Sequence, residues 1–312
     1  MFTYIIRRML QMIPIVIIVS ILAFLFVHLT PGDPIRIMYG MELDEATYQS
    51  LLEKEGFNDP LPVQYFRYVK NILLKGDFGE SYRTKVSVSK EISGRLSNTL
   101  LLATLSMVWA ILIGLFAGIV SAVKRNSIWD RLSMVTTVTL ISIPSFWLGL
   151  MLMQIFSVKL GWLPTSGVGG VQHVILPSIT LGAGVAAVIA RFSRSSLLET
   201  LREDYIRTAR AKGQRNWLVI FKHALRNALI PVVTMIGIQF GFLIGGAVVV
   251  EQVFTWPGLG SLLINSILMR DYPVIQALIL LYAIQFLIVN LIVDILYAFI
   301  NPQIRYSYEG GE

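Results

Sequence analysis

The sequence predicts an all-α integral membrane protein with six transmembrane helices and both termini on the cytoplasmic side. Three observations lead to this fold class. Hydrophobic residues make up 55% of the 312-residue chain and charged residues only 14%, whereas soluble proteins carry about 25% charged residues. Long apolar segments recur along the chain, and Lys and Arg are unequally distributed between the loops that join them. The high apolar content also argues against the nucleic-acid binding that a net charge of +7 could suggest.

Six apolar segments approach or exceed the ~20 residues that a helix needs to cross a bilayer. They are residues 9–29, 99–123, 134–158, 175–192, 228–250 and 273–300. The first follows Arg7 and Arg8 and is too long for a cleaved signal peptide, so we interpret it as an uncleaved anchor. Pro144 lies in the middle of the third, where a proline kinks or interrupts a helix. Gly182 and Gly184 make the fourth the weakest candidate.

The distribution of Lys and Arg gives the orientation, because cytoplasmic loops carry an excess of positive charge. With a cytoplasmic N-terminus, fifteen of the 26 Lys and Arg residues lie on the cytoplasmic side. The short outer loops then carry only Lys159 and Arg270. The sequence therefore predicts that residues 197–227 lie in the cytoplasm.

The first two spans are separated by a long polar segment on the outer side, residues 30–98. Pro31-Gly32-Asp33-Pro34 predicts a turn at its start, and residues 43–55 and 64–74 predict two helices. We divide the chain into residues 1–94, with the first span and most of this segment, residues 95–301, with five helices, and a cytoplasmic tail, residues 302–312. The outer segment is either a cap packed on the membrane domain or a docking surface for an extracytoplasmic partner.

Small residues recur every fourth position in three of the spans. Such stripes let helix backbones approach closely in lipid, so they predict a tight bundle of spans two to five. The alternative is a direct role in the transport pathway. The glycines that we assign to this packing face are Gly114, Gly118, Gly182, Gly237, Gly241 and Gly245.

Asp294 is the clearest ionisable residue inside a predicted span. A carboxylate at this depth is costly unless it is paired. Two interpretations remain open: a structural ion pair or hydrogen bond with another helix, or a role in coupling transport to an ion gradient.

Several kinds of catalytic chemistry have no support in the sequence. With no cysteine, disulfides and zinc fingers are excluded. No Gly-Lys dipeptide occurs, so the phosphate-binding loop that contains it is absent. His28, His173 and His223 are dispersed and form no metal-binding motif. We therefore assign no catalytic or metal-binding residue, and we expect a transport or scaffold role with energy supplied by other subunits.

The cytoplasmic stretch between the fourth and fifth spans carries seven basic residues and predicts two short helices. Glu203 and Asp204 favour the start of the first helix, and Gly213 is suited to its end. The second carries an apolar stripe at helical spacing, formed by Trp217, Ile220, Phe221 and Ala224. Two helices with apolar faces in a basic loop predict a docking element.

This stretch resembles the cytoplasmic loop of the permease subunits of ABC-type dipeptide, oligopeptide and nickel importers. The resemblance rests on residues 204–213, DYIRTARAKG, and 223–228, HALRNA, and extends along nearly the whole chain. It includes the segments GDFG at 76–79, WPGLG at 256–260, RDYPV at 270–274 and NPQIR at 301–305. GWLP at 161–164 and QFGFL at 239–243 look most similar to the glutathione-importer branch.

The resemblance implies a type I ABC importer permease in the bacterial inner membrane, whose cytoplasmic loop is a coupling helix that fits a cleft on an ATPase. The family signature, Glu-Ala-Ala and a later Gly, reads here Arg207-Thr208-Ala209 and Gly213, so its glutamate is missing. The docking face is expected at Tyr205, Ile206 and Ala209, with Gly213 as the turn. The full set of expected coupling residues is Asp204, Tyr205, Ile206, Ala209, Arg210 and Gly213.

The resemblance also implies partners. They are a second homologous permease, two ATP-binding subunits that hold ATP and Mg²⁺, and an extracytoplasmic substrate-binding protein, all assembled at the lipid bilayer. The substrate would be glutathione or another short peptide, and a nickel chelate also remains open. The alternative from a different class is an ion-coupled secondary transporter that uses Asp294.

Overall fold

The computed structural model describes residues 2–29, 32–39 and 42–300. Within these residues the chain is almost entirely helical, and its one β-bridge joins Glu80 to Ser87. The helices, in chain order, are α1 (Phe2–Leu29), α2 (Pro34–Tyr39), α3 (Glu45–Glu55), α4 (Leu61–Lys75), α5 (Val88–Val123), α6 (Ile128–Ser142), α7 (Ser145–Leu152), α8 (Gln172–Thr200), α9 (Asp204–Ala211), α10 (Asn216–Leu218), α11 (Leu225–Val253), α12 (Leu259–Leu268) and α13 (Tyr272–Ile300). The predicted tail, residues 302–312, lies outside the described part.

Five of these helical stretches are long and apolar enough to cross a membrane, and a bent pair of helices makes a sixth if it counts as one span. This confirms the all-α membrane fold that the sequence predicts. Several spans are longer than predicted, and the second and the fifth are the longest. The second begins at Val88, eleven residues before its apolar part, and the fifth is continuous from Asn216 to Val253. At ~1.5 Å per residue both exceed the ~30 Å hydrocarbon layer, so each projects into the water on one side.

The third span is broken at Pro144, as the sequence predicts. α6 ends at Ser142, and α7 begins at Ser145 after a bend of 106°. Proline has no backbone N–H to donate, and it forces the preceding Ile143 into an extended conformation with ψ 125°. After α7 the chain continues as a π-helical segment, Met153–Lys159.

The bundle centre is formed by α5 and α8, which approach each other at their glycines. A Cβ atom added at Gly114 would lie 2.7 Å from the carbonyl oxygen of Ala186, and one at Gly118 would lie 2.5 Å from that of Ala190. In the reverse direction, a Cβ at Gly182 of α8 would lie 2.7 Å from the carbonyl oxygen of Ser106. No side chain fits at any of the three positions, because each glycine lies against the backbone of the other helix.

The stripe of the fifth span is only partly a packing face. A Cβ at Gly237 would collide with Val293 of α13, and one at Gly241 would make ordinary contact with Phe286 at 3.4 Å. Gly245 has no atom within 4 Å of such a Cβ, so its assignment to packing within this chain is wrong. The helices diverge towards Gly245, where a cavity lined by Phe286, Tyr282 and Leu263 separates them.

The outer segment, with α2, α3 and α4, is joined to the membrane domain by a buried carboxylate. Asp271, at the start of α13, accepts hydrogen bonds from the hydroxyl of Ser81 and from the backbone N–H of Tyr82 at 3.0 Å. Val88, which opens α5, is fully buried among apolar residues of α12 and α13. The segment therefore packs on the outer ends of the spans, in agreement with the predicted cap.

We predict that Gly118→Leu prevents stable folding, because the leucine side chain would occupy the position of the α8 backbone. Overpacking of this kind costs at least about 1–3 kcal/mol. The matched control is Gly245→Leu, which meets open space within this chain. The measurement is the yield and the Tm of the membrane-inserted chain. Equal values for the two variants would show that the α5–α8 approach does not limit stability.

Candidate functional site

The predicted cytoplasmic helix is present as α9, and its bounds follow from local sequence signals. It begins after Glu203, which is extended, with φ −64° and ψ 147°, and Asp204 places a negative charge in the first turn. It ends before Gly213, whose φ of +74° lies in the left-handed region that glycine adopts without strain. The N–H of Gly213 donates to the carbonyl oxygen of Arg210 at 2.9 Å. Both predicted ends are confirmed.

The inner side of α9 is fixed to the spans. Ile206 and Ala209 are buried in an apolar cluster with residues of α5, α8 and the start of the fifth span, among them Leu197 and Val219. The expectation that Ile206 and Ala209 form an exposed docking face is therefore corrected. Their side chains hold α9 against this chain, because a one-sided helix lying on a membrane domain buries its apolar residues inward.

Polar contacts strengthen the same attachment. The amide of Asn227 donates to the hydroxyl of Tyr205 at 2.8 Å. The hydroxyl of Ser196 donates to the carbonyl oxygen of Ala228 at 2.8 Å and joins the end of α8 to the fifth span. α9 is thus attached directly to the fifth span, which is itself joined to α8.

The outward side of α9 is exposed and polar. Its centre is formed by Asp204, Arg207, Thr208 and Ala211, and the expected coupling residues Tyr205 and Arg210 flank it. Arg207 lies 3.5 Å from Asp204, but both side chains are in water, where such a pair contributes little. These groups remain free to contact a partner.

The second predicted cytoplasmic helix is not a separate element. α10 continues through a π-helical segment, Val219–Ala224, into α11 without a break. Of the predicted apolar stripe, Ile220 and Ala224 are buried, whereas Trp217 and Phe221 are exposed. No glycine or proline occurs in the six residues after Ala224, so the helix does not end there and extends into the span.

An ion pair joins the cytoplasmic ends of α6 and α8, between the buried Asp130 and Arg194, whose side chain is one-quarter exposed. Nε and Nη2 of Arg194 donate to Oδ1 and Oδ2 of Asp130 at 2.7 and 3.0 Å. Asp130 also accepts from the hydroxyl of Ser121 in α5 and from the backbone N–H of Asn126 at 2.9 Å. Since four donors satisfy one carboxylate, this site joins three helices only ten residues before α9.

A second buried carboxylate joins helices at the outer face. Oε1 of Glu251 accepts from the hydroxyl of Thr99 at 2.6 Å, and Oε2 accepts from the backbone N–H groups of Gly260 and Ser261 at 2.7 and 3.0 Å. The carboxylate thus lies at the N-terminus of α12, where helix N–H groups favour a negative charge. It holds together the outer ends of α5, α11 and α12.

Neither acid is predicted from the sequence to join helices, although each has a local signal. Asp130 follows Ser127 by three residues, which is the spacing of a capping box, and the hydroxyl of Ser127 accepts from the N–H of Asp130 at 3.4 Å. Glu251 precedes the turn Trp256-Pro257-Gly258, from which the next helix begins. These local signals do not identify the bonding partners, because Arg194 is 64 residues from Asp130 and Thr99 is 152 residues from Glu251 in the sequence.

Asp294 forms an ion pair between the first and last spans. Its Oδ2 lies 3.3 Å from Nε of Arg8, and both side chains are about one-third exposed. This geometry supports the structural interpretation over ion coupling. No group of three or more potential metal ligands occurs within the described residues.

A groove lies where the broken third span faces α8 and the fifth span. Its cavity of about 270 Å³ is lined mainly by apolar and small residues, including Gly184 and Gly246. The polar side chains in its wall are those of Ser145, Thr180 and Gln239. The groove is open on one side, so this chain forms only part of any enclosed passage.

A multi-pass helical chain with a helical cytoplasmic loop attached to its spans and an incomplete central groove is a membrane-spanning transport subunit. Comparison with known proteins specifies the class. Residues 110–306 match the family of binding-protein-dependent transport system inner membrane components, and residues 1–103 match the N-terminal component of the same family. The chain belongs to this family. It is an inner-membrane permease subunit of an ABC importer, which works with ATPase and substrate-binding components.

Individual relatives agree with this assignment. The glutathione transport system permease protein GsiC of Salmonella paratyphi A is 56% identical over 307 residues, which is 98% of this chain and 100% of the relative. GsiC of Escherichia coli K12 is 55% identical over the same shares. The expected likeness to the glutathione-importer branch is thus confirmed.

Two solved structures share the fold. An inward-facing MetNI methionine ABC transporter matches with a TM-score of 0.59 and 21% identity over 68% of this chain and 96% of that one. An amino acid ABC transporter solved with histidines matches with a TM-score of 0.56 and 14% identity over 67% and 94%. These matches confirm the expected type I ABC permease fold.

We predict that Arg194→Ala destabilises the permease more than Arg194→Lys does. Alanine leaves the buried carboxylate of Asp130 without its charged partner, and loss of one member of a buried pair costs about 3–5 kcal/mol. Lysine keeps the charge but not the two parallel hydrogen bonds. The measurement is the Tm of each purified variant, with Arg207→Ala as an exposed-arginine control. If Arg194→Ala melts like the control, the pair does not hold these helices together.

Proposed function

We propose that this permease imports glutathione, or a closely related short peptide, as one half of a pathway formed with a second homologous permease. The single observation that carries the substrate class is the 55–56% identity, over the full length, to glutathione transport permeases. In this proposal two partner ATPases bind and hydrolyse ATP with Mg²⁺, and this chain has no catalytic role. The absence of a phosphate-binding loop from its sequence supports that division of work.

The coupling step would take place at α9. The missing signature glutamate and the burial of Ile206 and Ala209 leave a polar docking surface, centred on Arg207, Thr208 and Ala211 and flanked by Tyr205 and Arg210. A cleft on the ATPase would hold this surface and pull or release α9 as the ATPases close and open. Because α9 is anchored to α8 and to the fifth span, its displacement would be carried as a rigid-body movement into the bundle.

The groove between the broken third span, α8 and the fifth span would be this chain's part of the pathway. It is open in the single chain, and the second permease would close it. The side chains that line it include no charged residue. A peptide with charged ends would pass such a wall without being held tightly, so the substrate-binding protein would supply most of the selectivity.

A secondary transporter that uses Asp294 is the competing function. Ion coupling needs a carboxylate that can release its partner during each cycle. Asp294 is instead paired with Arg8, and nothing in ion coupling requires a helical cytoplasmic loop. Both observations favour the ATP-driven importer.

Purification of the chain from its native membrane tests the assembly. We expect two ATPase subunits and one homologous permease to accompany it, and ATP hydrolysis to rise when a glutathione-loaded binding protein is added. The same preparation in proteoliposomes should take up labelled glutathione only when ATP is present on the side of the membrane that carries the ATPase subunits. A chain that purifies alone and transports in response to an ion gradient would overturn the proposal.

A substitution at Gly213 tests the coupling step. A Cβ at this position would have no atom within 4 Å, so a substitution would cause no steric clash. Its effect would come only from the strain of a side chain at a backbone φ of +74°. We expect Gly213→Val to abolish uptake and binding-protein-stimulated ATP hydrolysis, since a left-handed conformation costs roughly 1–2 kcal/mol and more for a branched residue. Gly213→Asn tolerates this conformation and should retain most activity. Equal activity of both variants would exclude the turn from coupling.

A further inference from the structure

Helix α4 of the outer segment has two faces of different polarity. One stripe along it, at spacings of three and four residues, is polar: Gln64, Arg67, Asn71 and Lys75. Two large apolar side chains are exposed on the opposite side, with exposed fractions of 69% for Phe66 and 77% for Leu73, whereas Leu74, 73% exposed, lies beside Arg67 at the edge of the polar stripe. In water these side chains would form an apolar patch of the kind that marks an interaction surface.

The contacts of α4 with the first span place the helix at membrane depth. The hydroxyl of Tyr65 lies 2.8 Å from that of Ser20, and the rings of Tyr65 and Tyr68 pack on Phe24 at centroid distances of 5.5 and 6.0 Å. Phe24 lies five residues before Leu29, where the apolar span ends, and so ~7.5 Å inside that boundary. An interfacial helix buries its apolar face to about 5–10 Å.

The same contacts give the orientation of α4. Gln64 and Tyr65 are neighbours in the chain, yet Gln64 lies 3.2 Å from Nε2 of His28, near the outer end of α1, whereas Tyr65 reaches Ser20, about two turns deeper. Two adjacent residues of α4 thus contact α1 at positions about two turns apart along the α1 axis. This arrangement requires α4 to cross α1 and not to run parallel to it. The side of α4 that carries Tyr65 therefore faces the membrane interior.

This direction agrees with the polarity of the helix. Residues three, four or seven positions apart lie on the same side of a helix. Val69 and Leu73 therefore share the inward side of α4 with Tyr65 and Phe66. The polar stripe of Arg67, Asn71 and Lys75 follows Gln64 on the outward side. Depth and polarity are independent observations, and both give the same orientation.

We propose that α4 is an interfacial helix whose apolar face, Phe66, Val69 and Leu73, is covered by acyl chains of the outer leaflet of the membrane. Lys70, beside this face, extends its ammonium group to the lipid phosphates, as long basic side chains do at membrane boundaries. Lipid thus holds the outer segment at a fixed height on the bundle. The polar side of α4, with the open cavity of about 530 Å³ that Gln64, Arg67 and Asn71 line, remains exposed to the aqueous outer side.

Single cysteines test this proposal directly, because the chain contains none of its own. Phe66→Cys and Leu73→Cys probe the apolar face, and Lys75→Cys on the same helix is the matched control for the polar face. Phe116→Cys in α5, a side chain 70% exposed on a span, is the control for lipid contact. Each variant is produced in the assembled transporter in membrane vesicles, and variants are compared only if they copurify with the partner subunits.

We expect a water-soluble maleimide to label Lys75→Cys at least about tenfold faster than Phe66→Cys or Leu73→Cys. The thiolate is the reacting species, and each unit by which lipid raises the pKa of a thiol lowers the thiolate fraction about tenfold. Nitroxides at positions 66 and 73 should be relaxed by oxygen more than by a water-soluble nickel chelate, as at position 116.

Two results would overturn the proposal. Labelling of Phe66→Cys and Leu73→Cys as fast as that of Lys75→Cys would place the apolar face in water. Slow labelling that appears only after addition of the substrate-binding protein would make this face a protein-docking surface. Slow labelling in vesicles without that protein, together with oxygen-dominated relaxation, supports contact with lipid.

Discussion

The close approach of α5 and α8 is the constraint on which the rest of the structure depends. At Gly114, Gly118 and Gly182 each backbone occupies the space that a side chain of the other helix would need. In lipid there is little hydrophobic force between helices, so close van der Waals packing of this kind holds the bundle together. The two helices thus form a rigid centre, against which the fifth span, α9 and the broken third span are placed.

Buried carboxylates fasten the ends of this rigid centre. Asp130 joins α5, α6 and α8 on the cytoplasmic side, and Glu251 joins α5, α11 and α12 on the outer side. Each is satisfied by several donors, so its burial carries no orphaned charge. Both lie where spans meet loops, so they fix the two ends of the rigid centre.

The broken third span gives the membrane domain an open side. Pro144 separates α6 from α7, and the groove beside the break is open. A subunit that is rigid at α5 and α8 and open at this groove is suited to line a passage with a partner. On the cytoplasmic side, α9 is attached to α8 and to the start of the fifth span.

The sequence by itself determined the six apolar segments, their orientation, the break at Pro144 and the bounds of α9, because hydropathy, charge, proline geometry and helix capping act locally. Only the tertiary structure decided which face of α9 is free, that Gly245 does not pack within this chain, and that Arg194 meets Asp130 and Thr99 meets Glu251. These features depend on where helices cross, and crossing positions follow from side-chain packing over residues far apart in the chain.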